Sequence, residues 1–143
     1  MIAIDTNLLI YAHQAGSSQH ASAVRALHKA RAGNSGWGFV LPVIIEFWRV
    51  VTPAGVPGGS STLAQAEQFL AALSAAGAAC WLPFPGFDVR LIAKAREFGV
   101  SGYRIFDLQI ALMALEAGAT EIWTHDHDFI PLPGLAVHDP IAS

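Results

Sequence analysis

Ile2-Ala3-Ile4-Asp5-Thr6-Asn7-Leu8-Leu9-Ile10-Tyr11-Ala12-His13 decides the fold class. Residues 2–5 read as a short apolar strand, and residues 6–13 follow directly as a helix. A carboxylate, Asp5, stands at the junction. In open α/β sheets ligands sit beyond the carboxyl ends of the strands, so an acid at such an end is already placed for chemistry.

Outward from this unit, strands keep alternating with helices. The sequence predicts a helix over 18–31, with Ser17 or Ser18 as its cap and Gly33 as its stop. A strand follows over 37–41, ended by Pro42, and then a very apolar helix over 43–51. Residues 52–61 (TPAGVPGGSS) form a loop. Next come an alanine-rich helix over 62–76, a strand over 79–84 and a helix over 87–98. A long helix over 103–117, apolar almost all round, ends at Gly118, and short strands follow over 122–124 and 135–138. This alternation predicts an α/β fold with a parallel sheet and helices on both faces. No internal repeat is present. Neither side of the 52–61 loop makes a core alone, so residues 1–143 are expected to form a single domain.

The chain has 143 residues, enough to bury a core without disulfides or a structural metal. Hydrophobic residues are 53% of it, against the usual ~45–50%. Charged residues are 13%, about half the usual fraction. That balance excludes intrinsic disorder and predicts an apolar surface covered by a partner. A net charge of −3 and a pI near 6.0 exclude a protein that coats nucleic acid by bulk charge, though not one with a local basic patch. The single cysteine, Cys80, excludes an internal disulfide and fits a reducing, cytoplasmic setting. Its apolar neighbours predict a buried side chain. The first residues carry no positive run, so a secretory leader is not expected. Residues 69–87 lack charge, but their alanines, Gly77, Pro83 and Pro85 fit a helix ending near Gly77 and then a strand, not a membrane span.

The acids carry the functional signal. Asp5 ends an apolar strand, Glu46 lies within Ile44-Ile45-Glu46-Phe47-Trp48, and Asp107 lies within Ile105-Phe106-Asp107-Leu108. Asp126 and Asp128 follow the strand Ile122-Trp123-Thr124. A lone buried carboxylate costs several kcal/mol, so each needs a partner. Only Arg49, three after Glu46, and Arg104, three before Asp107, are spaced for local pairing. Asp5, Glu46, Asp107 and Asp126 all map to the carboxyl edge of the sheet. Two carboxylates 4 Å apart repel by ~4 kcal/mol at an effective dielectric near 20. A hard divalent cation removes that conflict, and an all-oxygen donor set suits Mg2+ or Mn2+ rather than zinc. Taken singly, each acid also fits a local role: Asp5 as a helix cap, Asp126 or Asp128 as a turn cap, and the other two as helix ion pairs.

These residues resemble the PIN-domain ribonucleases, and specifically the VapC-type toxins of toxin–antitoxin pairs. Ile4-Asp5-Thr6-Asn7-Leu8-Leu9 is similar to the family's opening motif, and Glu46 to its second acid. Phe106-Asp107-Leu108-Gln109-Ile110-Ala111 resembles the third motif and Thr124-His125-Asp126-His127-Asp128-Phe129 the closing one. The resemblance implies a three-layer α/β/α fold with a mainly parallel sheet and an endoribonuclease dependent on Mg2+ or Mn2+. It further implies a homodimer and a small antitoxin protein as partner, with RNA as substrate. Asp5, Glu46, Asp107 and Asp126 would then be the metal-binding and catalytic acids. Thr6, Asn7, Thr124 and Asp128 are possible supports. Asp126 is expected to face the metal, and Asp128 to bond backbone amides of its turn.

Two other functions fit parts of the pattern. A phosphatase of the haloacid dehalogenase type also opens with a strand ending in Asp-Thr, but wants an acid where Asn7 stands. A non-catalytic module could capture a basic peptide in the acidic pocket. His125 and His127 flank Asp126 and read as surface histidines rather than as metal ligands. Arg25/Lys29 and Arg90/Lys94 read as solvated helix faces, and Trp37, Trp48, Trp81 and Trp123 as core or dimer interface.

Overall fold

Strands buried on both faces need apolar side chains on both, and β1 (Ile2–Ile4) and β2 (Trp37–Val40) supply them: Ala3, Ile4, Trp37, Phe39 and Val40 are all buried. The computed structural model describes residues 1–55 and 60–141. With β3 (Ala79–Trp81), β4 (Glu121–Trp123) and β5 (Ala136–His138), the two strands form a five-stranded sheet in the order β3-β2-β1-β4-β5, parallel at every pairing. The pairing of β2 with β3 depends on Gly38. A Cβ there would lie 2.3 Å from the carbonyl oxygen of Ala79.

Six helices connect the strands among the described residues: α1 (Thr6–His13), α2 (His20–Ala32), α3 (Leu41–Val51), α4 (Leu63–Ala75), α5 (Phe87–Phe98) and α6 (Ile105–Glu116). Crossovers between parallel strands are right-handed. The steps β1 to β2 and β2 to β3 move one way along the sheet and carry α1–α4 on one face. The step β3 to β4 runs back past β2 and β1 and lays α5 and α6 on the other. The result is the three-layer α/β/α arrangement. The chain order reverses between β1 and β4, and in such sheets the ligand crevice lies at that reversal.

Several elements differ in detail from the sequence expectation. Helix α2 starts at His20, with no side-chain cap from Ser17 or Ser18; Ser17 instead closes a local turn by accepting the Gln19 N–H at 3.2 Å. Gly33 ends this helix as expected. Pro42 does not terminate β2. The strand stops at Val40 and α3 starts at Leu41, so Pro42 occupies the first helical turn, where its missing N–H would have had no partner anyway. The strand expected over 79–84 shortens to Ala79–Trp81, with Pro83 and Pro85 just beyond it. Because β3 is an edge strand, Cys80 is exposed rather than buried. Trp37 and Trp123 are core residues, whereas Trp48 is exposed. Gly77 and Gly118 both take positive φ just past helix ends, where Ala78 and Ala119 return hydrogen bonds to Leu73 and Ala114. Among the described residues no helix is long and apolar enough to cross a membrane. Of the loop expected over 52–61, residues 56–59 lie outside the described residues.

Candidate active site

The floor of the site is built where β1 and β4 end side by side. The Asp5 N–H donates to the Trp123 carbonyl at 3.0 Å, which aligns the two strand ends. Asp5 is only 5% exposed. It caps α1, one Oδ accepting the Thr6 N–H at 2.8 Å, while the other accepts the Thr124 hydroxyl at 2.7 Å. The local reading of Asp5 as a helix cap is therefore met, and the same side chain lies at the carboxyl edge of the sheet. The Thr124 hydroxyl in turn accepts the Asn7 amide and the Asp126 N–H, each at 3.0 Å. Asn7 accepts the His125 N–H at 3.0 Å. One hydroxyl and one amide thus tie the start of α1 to the turn after β4, across more than a hundred residues of chain.

The rim is built from the helices. Glu46 is in the second turn of α3, and its Oε2 accepts the Thr6 hydroxyl at 3.2 Å. Asp107 is in the first turn of α6, and Asp126 follows β4. Glu46, Asp107 and Asp126 line one open groove of about 640 Å³, shared with Arg49 and with the exposed apolar residues Ile45, Tyr103 and Phe106. Asp5 sits beneath.

Burial pushes the Asp5 carboxyl up to about 6, against the pull of its bonds from Thr124 and Thr6, with repulsion from Asp107 and Glu46 adding to the rise. Asp107 also rises to about 6, first through burial, then through Asp126 and Glu46, with Arg104 opposing. Asp107 is the hub, because it repels three neighbouring carboxylates. It accepts no hydrogen bond from the described residues.

The expected helix ion pairs do not form. Among the described residues neither Arg49 with Glu46 nor Arg104 with Asp107 makes a salt bridge. Arg104 donates instead to the Asp128 carbonyl at 3.3 Å. Arg49 lines the groove and Arg104 a smaller cleft of about 310 Å³ beside it, with Tyr103, Asp107, Asp126 and Asp128. Sequence reasoning treated both arginines as neutralisers and passed over them as site residues. Their three-residue spacing from the acids was the available signal.

The turn roles are also exchanged. Asp126 accepts the Asp128 N–H at 2.9 Å, so Asp126 closes the turn while keeping its place on the groove. Asp128 is exposed. Of the basic helix pairs read as solvated faces, Arg90 instead bridges α5 to Glu116 on α6 at 2.6 and 2.8 Å, and Lys94 pairs with Glu97 at 3.1 Å. His127 is an exposed histidine as expected, but His125 is half-buried and bonds Asp139.

The donor set around the groove is all oxygen. Among the described residues no three of these carboxylates bring ligand oxygens within 4.8 Å of one another, the spread that like charges adopt. A hard cation that keeps several of its own waters fits such a site, since few direct carboxylate bonds are then needed.

Comparison with known proteins completes the description. The family model for the PIN domain matches residues 2–135. The chain is 32% identical over 121 residues to VapC ribonuclease Mb2897 of Mycobacterium bovis, spanning 84% of this chain and 82% of that protein. Among solved structures, the fold is similar to Mycobacterium tuberculosis VapC20, described as a sarcin-ricin loop cleaving toxin. The TM-score is 0.68 at 15% identity, with 90% of this chain and 92% of that one covered. It is also similar to a chain of VapBC2 from Rickettsia felis bound to a DNA fragment from their promoter, with TM-score 0.63, 19% identity, and coverage of 96% and 98%.

Proposed function

The chain belongs to the PIN domain family, and on that premise we propose that it is a Mg2+- or Mn2+-dependent endoribonuclease, the toxin of a toxin–antitoxin pair acting in the cytoplasm. One observation carries the reading: Asp107, half-buried, lies among three other carboxylates and receives no hydrogen bond from the described residues, an arrangement that a bound cation would relieve. Glu46, Asp107 and Asp126 would hold the ion from the groove, with Asp5 behind them. When bound, such an ion activates a water and neutralises charge on the attacked phosphate.

The chain's own groups prepare the site for that chemistry. Thr6 holds Glu46 by its hydroxyl and helps to fix Asp5 by its amide. Thr124 and Asn7 set the turn that presents Asp126. Arg49 and Arg104, which make no salt bridge among the described residues, line the groove and the cleft beside it and would supply positive charge to the phosphates of a bound RNA. A covalent aspartyl mechanism at Asp5 fits poorly. Its oxygens are occupied by Thr6 and Thr124, and Asn7, at the position where a second acid would be needed, is committed to Thr124 and His125.

The groove also suits the antitoxin. Ile45, Phe106 and Tyr103 are 61%, 64% and 82% exposed beside the acids. A partner segment with apolar side chains and one basic side chain would cover them and neutralise the pocket. The low charged content fits a homodimer as well. The deciding experiment is cleavage of a mixed RNA pool by the partner-free protein with Mg2+ or Mn2+, with and without chelator. Cleavage should require metal. No cleavage with either metal, by protein that still binds a small partner, would favour a non-catalytic acidic-pocket module.

A further inference from the structure

A second polar cluster lies on the other side of the turn that carries Asp126. Strands β4 and β5 are parallel neighbours with Trp123 opposite His138, and the Thr124 N–H donates to the His138 carbonyl at 2.9 Å. The residues just past the two strands therefore run side by side. His125 Nδ1 lies 2.8 Å from Asp139 Oδ2, and His127 Nε2 lies 3.1 Å from the same oxygen. Among the described residues these form the one set of three His, Cys, Asp or Glu side chains whose ligand atoms all lie within 4.8 Å of one another.

The geometry points to a zinc site formed by His125 Nδ1, His127 Nε2 and Asp139 Oδ2, distinct from the oxygen-only groove and independent of the nuclease reading. Zinc binds imidazole nitrogen and carboxylate oxygen at about 2.0–2.2 Å, so tetrahedral ligands stand roughly 3.3–3.5 Å apart. The two nitrogens already sit near that distance from the shared oxygen. Two imidazoles and one carboxylate are a borderline donor set that favours zinc over magnesium by ligand type. Three protein ligands leave the fourth position to water.

Two of the ligands are held in advance. The other Asp139 oxygen accepts the Ile141 N–H at 3.1 Å, which turns Oδ2 toward the histidines. The His125 ring packs edge-on against Tyr11 at 6.1 Å between centroids. The His125 and Asp139 side chains are 28% and 17% exposed, whereas His127 is 76% exposed and forms the open side by which the ion enters. Both rings remain neutral in the site. Each gives zinc the lone pair of the nitrogen that faces Asp139 and carries its proton on the other nitrogen. A zinc ion here would tie the turn to the residues past β5 through side chains that do not line the groove.

The test uses the zinc-free full chain in millimolar Mg2+, added to compete for the oxygen-only groove, titrated with Zn2+ by calorimetry. Binding of one zinc per chain is expected. His127→Ala and Asp139→Asn should each weaken it by roughly tenfold or more. Asp107→Asn should leave it within about twofold, since Asp107 belongs to the groove. Co2+ in place of Zn2+ should give visible absorption of a four-coordinate site in wild type and lose it in His127→Ala. His127 is exposed, so that variant should keep its metal-free melting temperature and decides the matter even if Asp139→Asn fails to fold. Absence of zinc binding in magnesium, unchanged binding in His127→Ala, or loss of binding in Asp107→Asn would each overturn the assignment.

Discussion

The floor and the rim of the acidic site are made of the same chemical group and behave oppositely. On the floor, Asp5 is buried and each of its oxygens accepts a short hydrogen bond, from Thr6 and from Thr124. On the rim, Asp107 is half-buried, accepts no hydrogen bond from the described residues and repels its neighbours. Asp5 spends its hydrogen bonds on fixing geometry, whereas on the rim Glu46 and Asp126 each accept one bond and Asp107 accepts none from the described residues. The same group in the same site thus differs in how many of its acceptor positions the chain itself uses.

The hardest way to break this contrast is to neutralise the rim. Asp107→Asn should lower RNA cleavage by roughly a hundredfold or more, about 2.7 kcal/mol in the barrier. The metal-free melting temperature should hold or rise, because a repelling charge is gone. A clear fall in melting temperature with nearly normal cleavage would make Asp107 a structural residue. Asp126→Asn should also reduce cleavage by about tenfold to a hundredfold with the fold intact, as loss of a ligand or its close support does.

The floor should respond the other way. Thr124→Val removes the hydroxyl that donates to Asp5 and accepts from Asn7 and the Asp126 amide. Leaving such buried groups unpaired should cost about 2–4 kcal/mol in denaturant unfolding. A loss below about 1 kcal/mol would mean that other groups or water satisfy the floor.

Protons and metal sharpen the comparison further. Asp5 and Asp107 titrate near 6 in the folded chain against 3.8 for the ordinary carboxyl. The folded state therefore holds protons that the unfolded state has released, and stability falls as pH rises through that window. The contribution is complete below 3.8 and gone once pH has passed about 6. From pH 5 to 7 the metal-free protein should lose on the order of 1–2 kcal/mol from these two acids, Asp107 giving less because it is half exposed. The slope should shrink in Asp107→Asn, and millimolar Mg2+ or Mn2+ should flatten it while raising the melting temperature. A melting temperature indifferent to both pH and metal would argue against converging carboxylates.

The smallest effect belongs to Asp128, which is exposed and supplies only backbone groups to the turn. Asp128→Asn should change stability by no more than about 0.5 kcal/mol and keep most of the activity. If it proved as inactive as Asp126→Asn at unchanged stability, Asp128 would belong to the rim.

The sequence by itself determined the order of elements and the α/β class, because these rest on local physics, and it singled out the acids as candidates. Helix α1 and helix α5 occupy the residues expected of them, and α4 and α6 end two residues before Gly77 and Gly118, whose positive φ a glycine takes readily. The four acids were legible because carboxylates amid Ile44-Ile45 and Ile105-Phe106 are costly without a purpose. What each acid touches was decided by tertiary structure. Spacing offered Arg49 and Arg104 as partners, yet Glu46 found Thr6, forty residues away, and Asp5 found Thr124 across the β1–β4 pairing. The burial expected of Cys80 failed for the same reason, since an edge strand and a central strand carry similar apolar runs and only the sheet order tells them apart. The meeting of His125, His127 and Asp139 likewise follows from β5 lying beside β4. Local sequence sets backbone conformation within a few residues. Which side chains meet depends on strand order and register, which arise from burying the whole core at once.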